Sequence, residues 1–386
     1  MRARGGKLHA DLTARESRID AANGILRNST VNLFQQRIWH TGSNATTFDQ
    51  RYYFDTSAWS GSSSSDVFLY IGGEGPLGGT PGGYPAVLAK ARGALVFALE
   101  HRYYGQSNPS PLSDRVTLTS LTVENALEDL AVFIQAMQGA WGLSGKWLVI
   151  GGSYPGGLSS WFRQKYPHLA AASWSSSGVV NAVYNFTGFD AQVLLDVSPQ
   201  CQAALHAVTA AFDAAWDNPA TRGALRAQFG TPAYFSKADM AWMLGDSAGM
   251  AAQYGSKAAL CSAMLPLTDP LAQFAAFTAD HYGPAFGASC YYSTTCLSSP
   301  SMSDQWVGAD WMWVYECCNQ LAYWNVAYTG SQRSAAVTLD YFNSQCQSAM
   351  GFDPYTSGRN AAFNAAYGGA TPDSNATIAL NGSDDP

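Results

Sequence analysis

The sequence predicts an α/β protein: a mostly parallel sheet with helices on both faces, carrying an inserted helical segment. Three observations predict it. From residue 67 to 178, short apolar runs alternate with glycine-rich or amphipathic segments. One run, Trp147-Leu148-Val149-Ile150, opens directly into Gly151-Gly152-Ser153-Tyr154-Pro155-Gly156-Gly157. From about 179 to 305 strand-like runs stop and alanine-rich segments replace them. Strand–helix–strand order needs crossover connections, and these impose parallel pairing with both faces covered.

Residues 1–30 are polar, with Arg2, Arg4, Lys7, Arg15 and Arg18, and are expected to be poorly ordered. They lack the apolar run of a signal peptide. Residues 31–178 form the first part of the sheet core. Val67–Ile71 is its first legible strand, followed by Gly72-Gly73-Glu74-Gly75-Pro76. Ala94–Leu99 is the next, followed by Glu100-His101-Arg102-Tyr103-Tyr104-Gly105. Thr122–Gln138 predicts a helix: Val123, Leu127, Leu130, Ile134 and Met137 make one stripe, and Thr122 can cap it. Trp147–Ile150 is a strand, Pro155–Tyr166 a helix opened by proline, and Ala170–Ser175 a further buried run. Residues 179–305 are expected to fold as a helical cap, with helices over Ala203–Trp216, Ala238–Met243 and Leu271–Ala279. Residues 306–386 return to the core, through an aromatic, cysteine-rich stretch to a last strand at Ala376–Leu380.

Composition narrows the function classes. Nearly half of the 386 residues are hydrophobic, which suits a large core. The net charge is −7 and there is no basic patch, which excludes nucleic acid as the expected partner. No run of 18 apolar residues offers a membrane span. All seven cysteines lie after residue 200, without the paired spacing of a zinc site. A disulfide set in an oxidising compartment is expected, with one thiol left over. Sequons occur at Asn28, Asn44, Asn185, Asn375 and Asn381. No metal or organic cofactor is expected.

The chemistry centres on Ser153. A strand running into a glycine-flanked serine and then into a helix is the layout of a nucleophile elbow. The plain alternative is a serine that merely caps the next helix. Acyl-transfer chemistry also needs two backbone N–H donors for the developing oxyanion. Tyr154, after the serine, supplies one. Gly73, in the glycine-rich loop after an earlier strand, is the candidate for the other. An acid must orient the base, and Asn381-Gly382-Ser383-Asp384-Asp385-Pro386 offers Asp385 or its neighbour Asp384. The six histidines are His9, His40, His101, His168, His206 and His281. None follows the acid, where the chain order serine, acid, histidine places the base. His101 is out of that order and is expected in a structural network. His168 is expected at the end of the elbow helix.

Together these segments resemble the serine carboxypeptidase family that contains lysosomal Pro-Xaa carboxypeptidase, dipeptidyl peptidase II and thymus-specific serine protease. Phe48-Asp49-Gln50-Arg51-Tyr52 is similar to its Phe-x-Gln-Arg-Tyr, and Gly72–Gly75 to its Gly-Asn-Glu-Gly, with Gly73 in place of Asn. Glu100–Gly105 matches Glu-His-Arg-Tyr-Tyr-Gly, and Gly151–Tyr154 with Trp161-Phe162-Arg163 matches the nucleophile segment. The last six residues resemble its Asn-Gly-x-x-Asp-Pro-Trp loop without the Trp, which picks Asp385 over Asp384 as the acid.

The resemblance implies an α/β-hydrolase core under a helical cap, cleavage of peptides next to proline, and a lysosomal, vacuolar or secreted location. It leaves carboxypeptidase and dipeptidyl aminopeptidase both open. The expected partners are proline-containing peptides, and a second copy in a homodimer. The aromatic stretch 306–324 could line a proline pocket. On this reading the C-terminal end of the core and the catalytic histidine are missing, so the chain resembles a fragment of a longer enzyme and is expected to be inactive by itself. A lipase or esterase, or an inactive hydrolase-fold binding protein, are the competing readings.

Overall fold

A computed structural model describes residues 7–25, 30–111, 113–299, 305–353 and 358–386. The sequon at Asn28 lies outside them. Seven strands form one sheet in the order β1-β2-β4-β3-β5-β6-β7. They are β1 (Thr30–Arg37), β2 (Thr47–Asp55), β3 (Val67–Ile71), β4 (Leu95–Leu99), β5 (Trp147–Gly152), β6 (Ala172–Ser176) and β7 (Thr377–Leu380). From β4 to β7 every pairing is parallel, while β1 and β2 add antiparallel strands at one edge. This is an α/β-hydrolase fold.

The central strands are apolar along their length because both faces are covered. Every residue of β4 is buried, and all but one of β3. The helix Val123–Trp141 lies against them with Thr122 as its N-cap, accepting from the Asn125 N–H at 3.2 Å, and Gly142 left-handed at its end. Phe97, Phe133, Trp141 and Trp147 interlock at ring distances of 5.7–5.8 Å around Phe97.

Two edge strands were not legible. β1 and β2 point polar side chains inward: Gln36 and Gln50 are buried and joined at 3.0 Å. Gln50 also donates to the Glu100 carbonyl at 2.8 Å. Buried amides that satisfy one another break the apolar alternation by which a strand is read. The expectation of a poorly ordered N-terminus is corrected over Lys7–Asn23, which is a helix. Its acids cap the next helix: Glu16 accepts from Gly82 N–H at 3.0 Å and Asp20 from Gly83 N–H at 2.7 Å.

The helical layer begins at Thr187. Its helices include Pro199–Asp217, Lys237–Gln253, Lys257–Met264 and Pro270–Tyr282. Its apolar core does not stop near residue 305. Phe212, Trp242, Phe274 and Tyr292 share one cluster with Trp311, Trp324, Phe342 and Met350. The aromatic stretch therefore packs largely into the helical layer. Three disulfides lie there: Cys201–Cys261, Cys290–Cys296 and Cys318–Cys346, leaving Cys317 as a buried free thiol. Among the described residues no helix is long and apolar enough to cross a membrane.

Candidate active site

β5, an interior strand, delivers Ser153 just past its C-terminal end in a conformation that few residues adopt. Its φ is +61° and its ψ −128°. A non-glycine residue there stores roughly 1–3 kcal/mol of backbone strain. The surrounding glycines make room for the turn. A Cβ on Gly151 would sit 1.9 Å from the Pro155 carbonyl oxygen, and one on Gly156 would sit 2.8 Å from the Gly178 Cα. The Ser153 N–H donates to the Ser176 carbonyl at 2.9 Å, locking the turn to β6. Ser153 occupies the N-cap position of helix Tyr154–Lys165, yet its side chain makes no capping hydrogen bond. The plain capping role therefore does not describe it. Its side chain lines a cavity of about 400 Å³.

The glycine-rich loop after β3 presses on the same turn. A Cβ on Gly73 would fall 2.8 Å from Pro155 Cγ, so a larger residue here requires the Pro155 ring to shift. Glu74 lines the cavity with Ser153. The acid loop arrives from β7, where the Ser177 N–H donates to the Leu380 carbonyl at 2.6 Å. Asn381, Asp385 and Pro386 line the cavity. Asp384 does not: it pairs with Lys257 at 2.6 Å, and this contact holds its carboxyl below the usual range. The geometry thus separates two acids that the sequence pattern alone leaves equal.

None of the six histidines lines this cavity. His101 is buried, with Nδ1 2.8 Å from the Arg102 carbonyl and Nε2 3.2 Å from the Tyr154 hydroxyl. Burial pushes its pKa down to about 4. His40 lies 2.7 Å from Asp129. His281 stacks on Phe277 at 4.9 Å, and His168 is exposed beside Tyr166.

The segment Glu100–Gly105 is scaffold for the site. Glu100 accepts from the Leu77 and Gln106 N–H groups at 2.9 and 3.1 Å, holding the loop after β3. Arg102 is fully buried and grips Asp129 through Nε at 2.7 Å and Nη2 at 2.5 Å. Tyr104 reaches across to the helical layer and donates to Glu316. The Tyr154 hydroxyl donates to the other Glu316 oxygen at 2.8 Å.

Sequence reasoning missed Glu316. It closes the helix Gln305–Glu316, and burial raises its pKa to about 8. Its one signal was a carboxylate set among aromatic residues and cysteines. Asp246 and Arg333 were missed too. They meet at 3.0 Å, and Asp246 lines the cavity. The aromatic stretch contributes Trp313, Tyr323 and Trp324 to the cavity wall.

Fold and site define an α/β-hydrolase whose elbow serine and terminal aspartate share one cavity. Comparison with known proteins gives the family. A model described as serine carboxypeptidase S28 matches residues 36–386, and the chain belongs to that family of serine peptidases. It is 31% identical over 369 residues to the probable serine protease EDA2 of Arabidopsis thaliana, covering 92% of this chain and 74% of that one. It is 31% identical over 382 residues to the thymus-specific serine protease of Mus musculus, covering 89% and 74%. It is 36% identical over 167 residues to the lysosomal Pro-X carboxypeptidase of Homo sapiens, covering 40% and 33%.

Proposed function

We propose that the protein is a serine-type exopeptidase that cleaves next to proline through an acyl-enzyme on Ser153. The observation that carries this reading is the strained, uncapped Ser153 in a cavity shared with Asp385. Ser153 Oγ attacks the scissile carbonyl and loses its proton to an imidazole. The Tyr154 and Gly73 N–H groups receive the oxyanion. The leaving amine departs with that proton, and water then releases the acyl group. Asp385 orients the imidazole. Trp313, Tyr323 and Trp324 offer the flat apolar wall that a proline ring prefers. The relative named for Pro-X cleavage supports the same substrate. The disulfides suit a lysosomal, vacuolar or secreted protein. A homodimer belongs to this reading and is checked by sedimentation.

The base is not among the six histidines on this reading, because none of them lines the cavity. The 386 residues by themselves are therefore expected to turn over peptide slowly or not at all. Chemical rescue tests the assignment. A fluorophosphonate probe should label Ser153 faintly in buffer and strongly when free imidazole is added. Ser153→Ala should remove the labelling under both conditions. Equal labelling of that variant, or no labelling with imidazole, overturns the reading. Strong labelling without imidazole would place the base within these residues, and His101 would be the first to replace.

A further inference from the structure

Behind the elbow lies a buried polar cluster that the proposed reaction does not use. Tyr154 follows Ser153 directly and opens helix Tyr154–Lys165, with its side chain fully buried. Its ring packs against His101 at 5.5 Å and Trp313 at 5.4 Å. Its hydroxyl lies 2.8 Å from Glu316 Oε1 and 3.2 Å from His101 Nε2. Tyr104 donates to Glu316 Oε2. His101, Tyr104 and Glu316 are buried as well. The cluster thus joins the segment after β4, the elbow helix and the end of helix Gln305–Glu316.

Its hydrogens can be counted. His101 Nδ1 faces the Arg102 carbonyl at 2.8 Å. A carbonyl only accepts, so Nδ1 carries the ring hydrogen and the neutral ring offers Nε2 as an acceptor. Three contacts remain: Tyr104 with Glu316, Tyr154 with Glu316, and Tyr154 with His101. The two tyrosines bring two hydrogens. With Glu316 ionised, Tyr154 donates to it and turns only a lone pair toward Nε2. One further proton completes the set. On Glu316 Oε1 it reverses the middle bond, and donation runs from Glu316 to Tyr154 to His101. On Nε2 it makes donation run the other way.

Burial decides between these two places, because a neutral pair costs less to enclose than a charged one. It raises the Glu316 pKa to about 8 and lowers that of His101 to about 4. The surrounding groups do not reverse this. Glu74 adds negative charge near Glu316. On Glu316's own segment, burial keeps the Tyr315 hydroxyl and the Cys317 thiol neutral. Asp129 and Arg102 act on His101 in opposite senses. Among the described residues the one basic group within 4.0 Å of Glu316 is His101.

We propose that Glu316 and His101 hold one proton between them through the Tyr154 hydroxyl, and that this proton fixes Tyr154 in place as the oxyanion donor beside Ser153. Glu316 is then a positioning residue, acting on the reaction through Tyr154. The proposal rests on the peptidase reading above, which makes the Tyr154 N–H an oxyanion donor. Once the proton leaves, a buried acceptor goes unmatched and the tyrosine loses one of its two anchors.

Two readouts on the full chain test it. Infrared difference spectra between the wild type and Glu316→Gln report a protonated carboxyl directly. Its band should be present at about pH 6 and disappear as pH rises past about 8. In His101→Phe no Nε2 awaits the Tyr154 hydrogen, so two hydrogens meet two contacts. There the band should disappear at a pH at least about one unit lower. The second readout is imidazole-aided labelling of Ser153, normalised to the folded fraction by near-ultraviolet circular dichroism. Gln keeps a donor and an acceptor where the protonated carboxyl has them, so Glu316→Gln is the reference that cannot ionise. The ratio of wild type to this variant cancels the titration of imidazole itself. It should fall about tenfold between about pH 6 and about pH 9, and Glu316→Leu should label poorly throughout. No band at about pH 6, an unmoved band in His101→Phe, or a ratio that stays flat while the band disappears overturns the proposal. If His101→Phe does not fold, the wild-type band and the ratio still decide. If the wild type is not labelled at any pH, the peptidase reading fails, and the infrared bands judge the shared proton separately.

Discussion

The sheet layer and the helical layer each bury an arginine, and they use it differently. Arg102 sends all five of its N–H groups to acceptors: Asp129 twice, and the carbonyls of Arg37, Ile38 and Ser120. One cation faces one carboxylate, and both are sealed. Arg333 faces two carboxylates, and one of them opens on the cavity. The closed pair can only hold the fold together. In the open cluster burial raises the Asp246 pKa, and part of that carboxyl faces the cavity. Two buried arginines thus differ in how completely their partners are enclosed.

The largest expected effect breaks the closed pair. Arg102→Met should cost about 3–5 kcal/mol in urea unfolding, because the buried Asp129 loses its guanidinium and keeps only His40 and Gln50 as partners. Peptide selectivity should be untouched in whatever fraction folds. A second test uses the uneven placement of the disulfides, all in the helical layer. Removing Cys201–Cys261 with paired alanines should cost roughly 2–4 kcal/mol, since it closes a loop of 60 residues. Hydrogen exchange should quicken in the helical layer and not in β3–β5. Uniform quickening would mean the two layers unfold as one.

Glu316 joins the layers, and its pH dependence sharpens the contrast. Its folded pKa is raised from 4.5 to about 8, mainly by burial. Below pH 4.5 folded and unfolded states both hold the proton, and its stabilising effect is complete. Between 4.5 and 8 the unfolded state ionises first, so stability falls as pH rises. Glu316→Gln cannot ionise. Relative to this variant, the wild type should lose roughly 2 kcal/mol between pH 5 and 7. A gap that stays constant with pH would show that the carboxyl is already ionised. The smallest effect concerns the exposed pair. Asp384→Asn should leave the unfolding midpoint unchanged and leave imidazole-aided labelling of Ser153 intact, whereas Asp385→Asn should weaken any activity that depends on an oriented imidazole.

Legibility in the sequence followed physical cause. β3, β4 and β5 were readable because strands covered on both faces are continuous apolar runs. The elbow was readable because its glycines are forced by contacts below 3 Å at Gly151 and Gly156. β1 and β2 were not, because Gln36 and Gln50 satisfy one another in the interior. Glu316 and Asp246 were hidden for a different reason. Their partners lie far along the chain: Tyr154 is 162 positions from Glu316, and Arg333 is 87 from Asp246. No local pattern encodes such pairs. Of the two terminal acids the family resemblance picks Asp385, and Lys257 pairs with the other.

The link from Ser153 N–H to the Ser176 carbonyl, and from Ser177 N–H to the Leu380 carbonyl, strings Ser153 and the acid loop on three adjacent strands. Their spacing follows the sheet register, and the Asp384–Lys257 pair adds one tie from the acid loop to the helices above. The cavity wall formed by Trp242, Asp246 and Tyr291 belongs to the helical layer and can change without disturbing that register. Diversification in such a molecule should be sought in the roof, while the hearth stays constant.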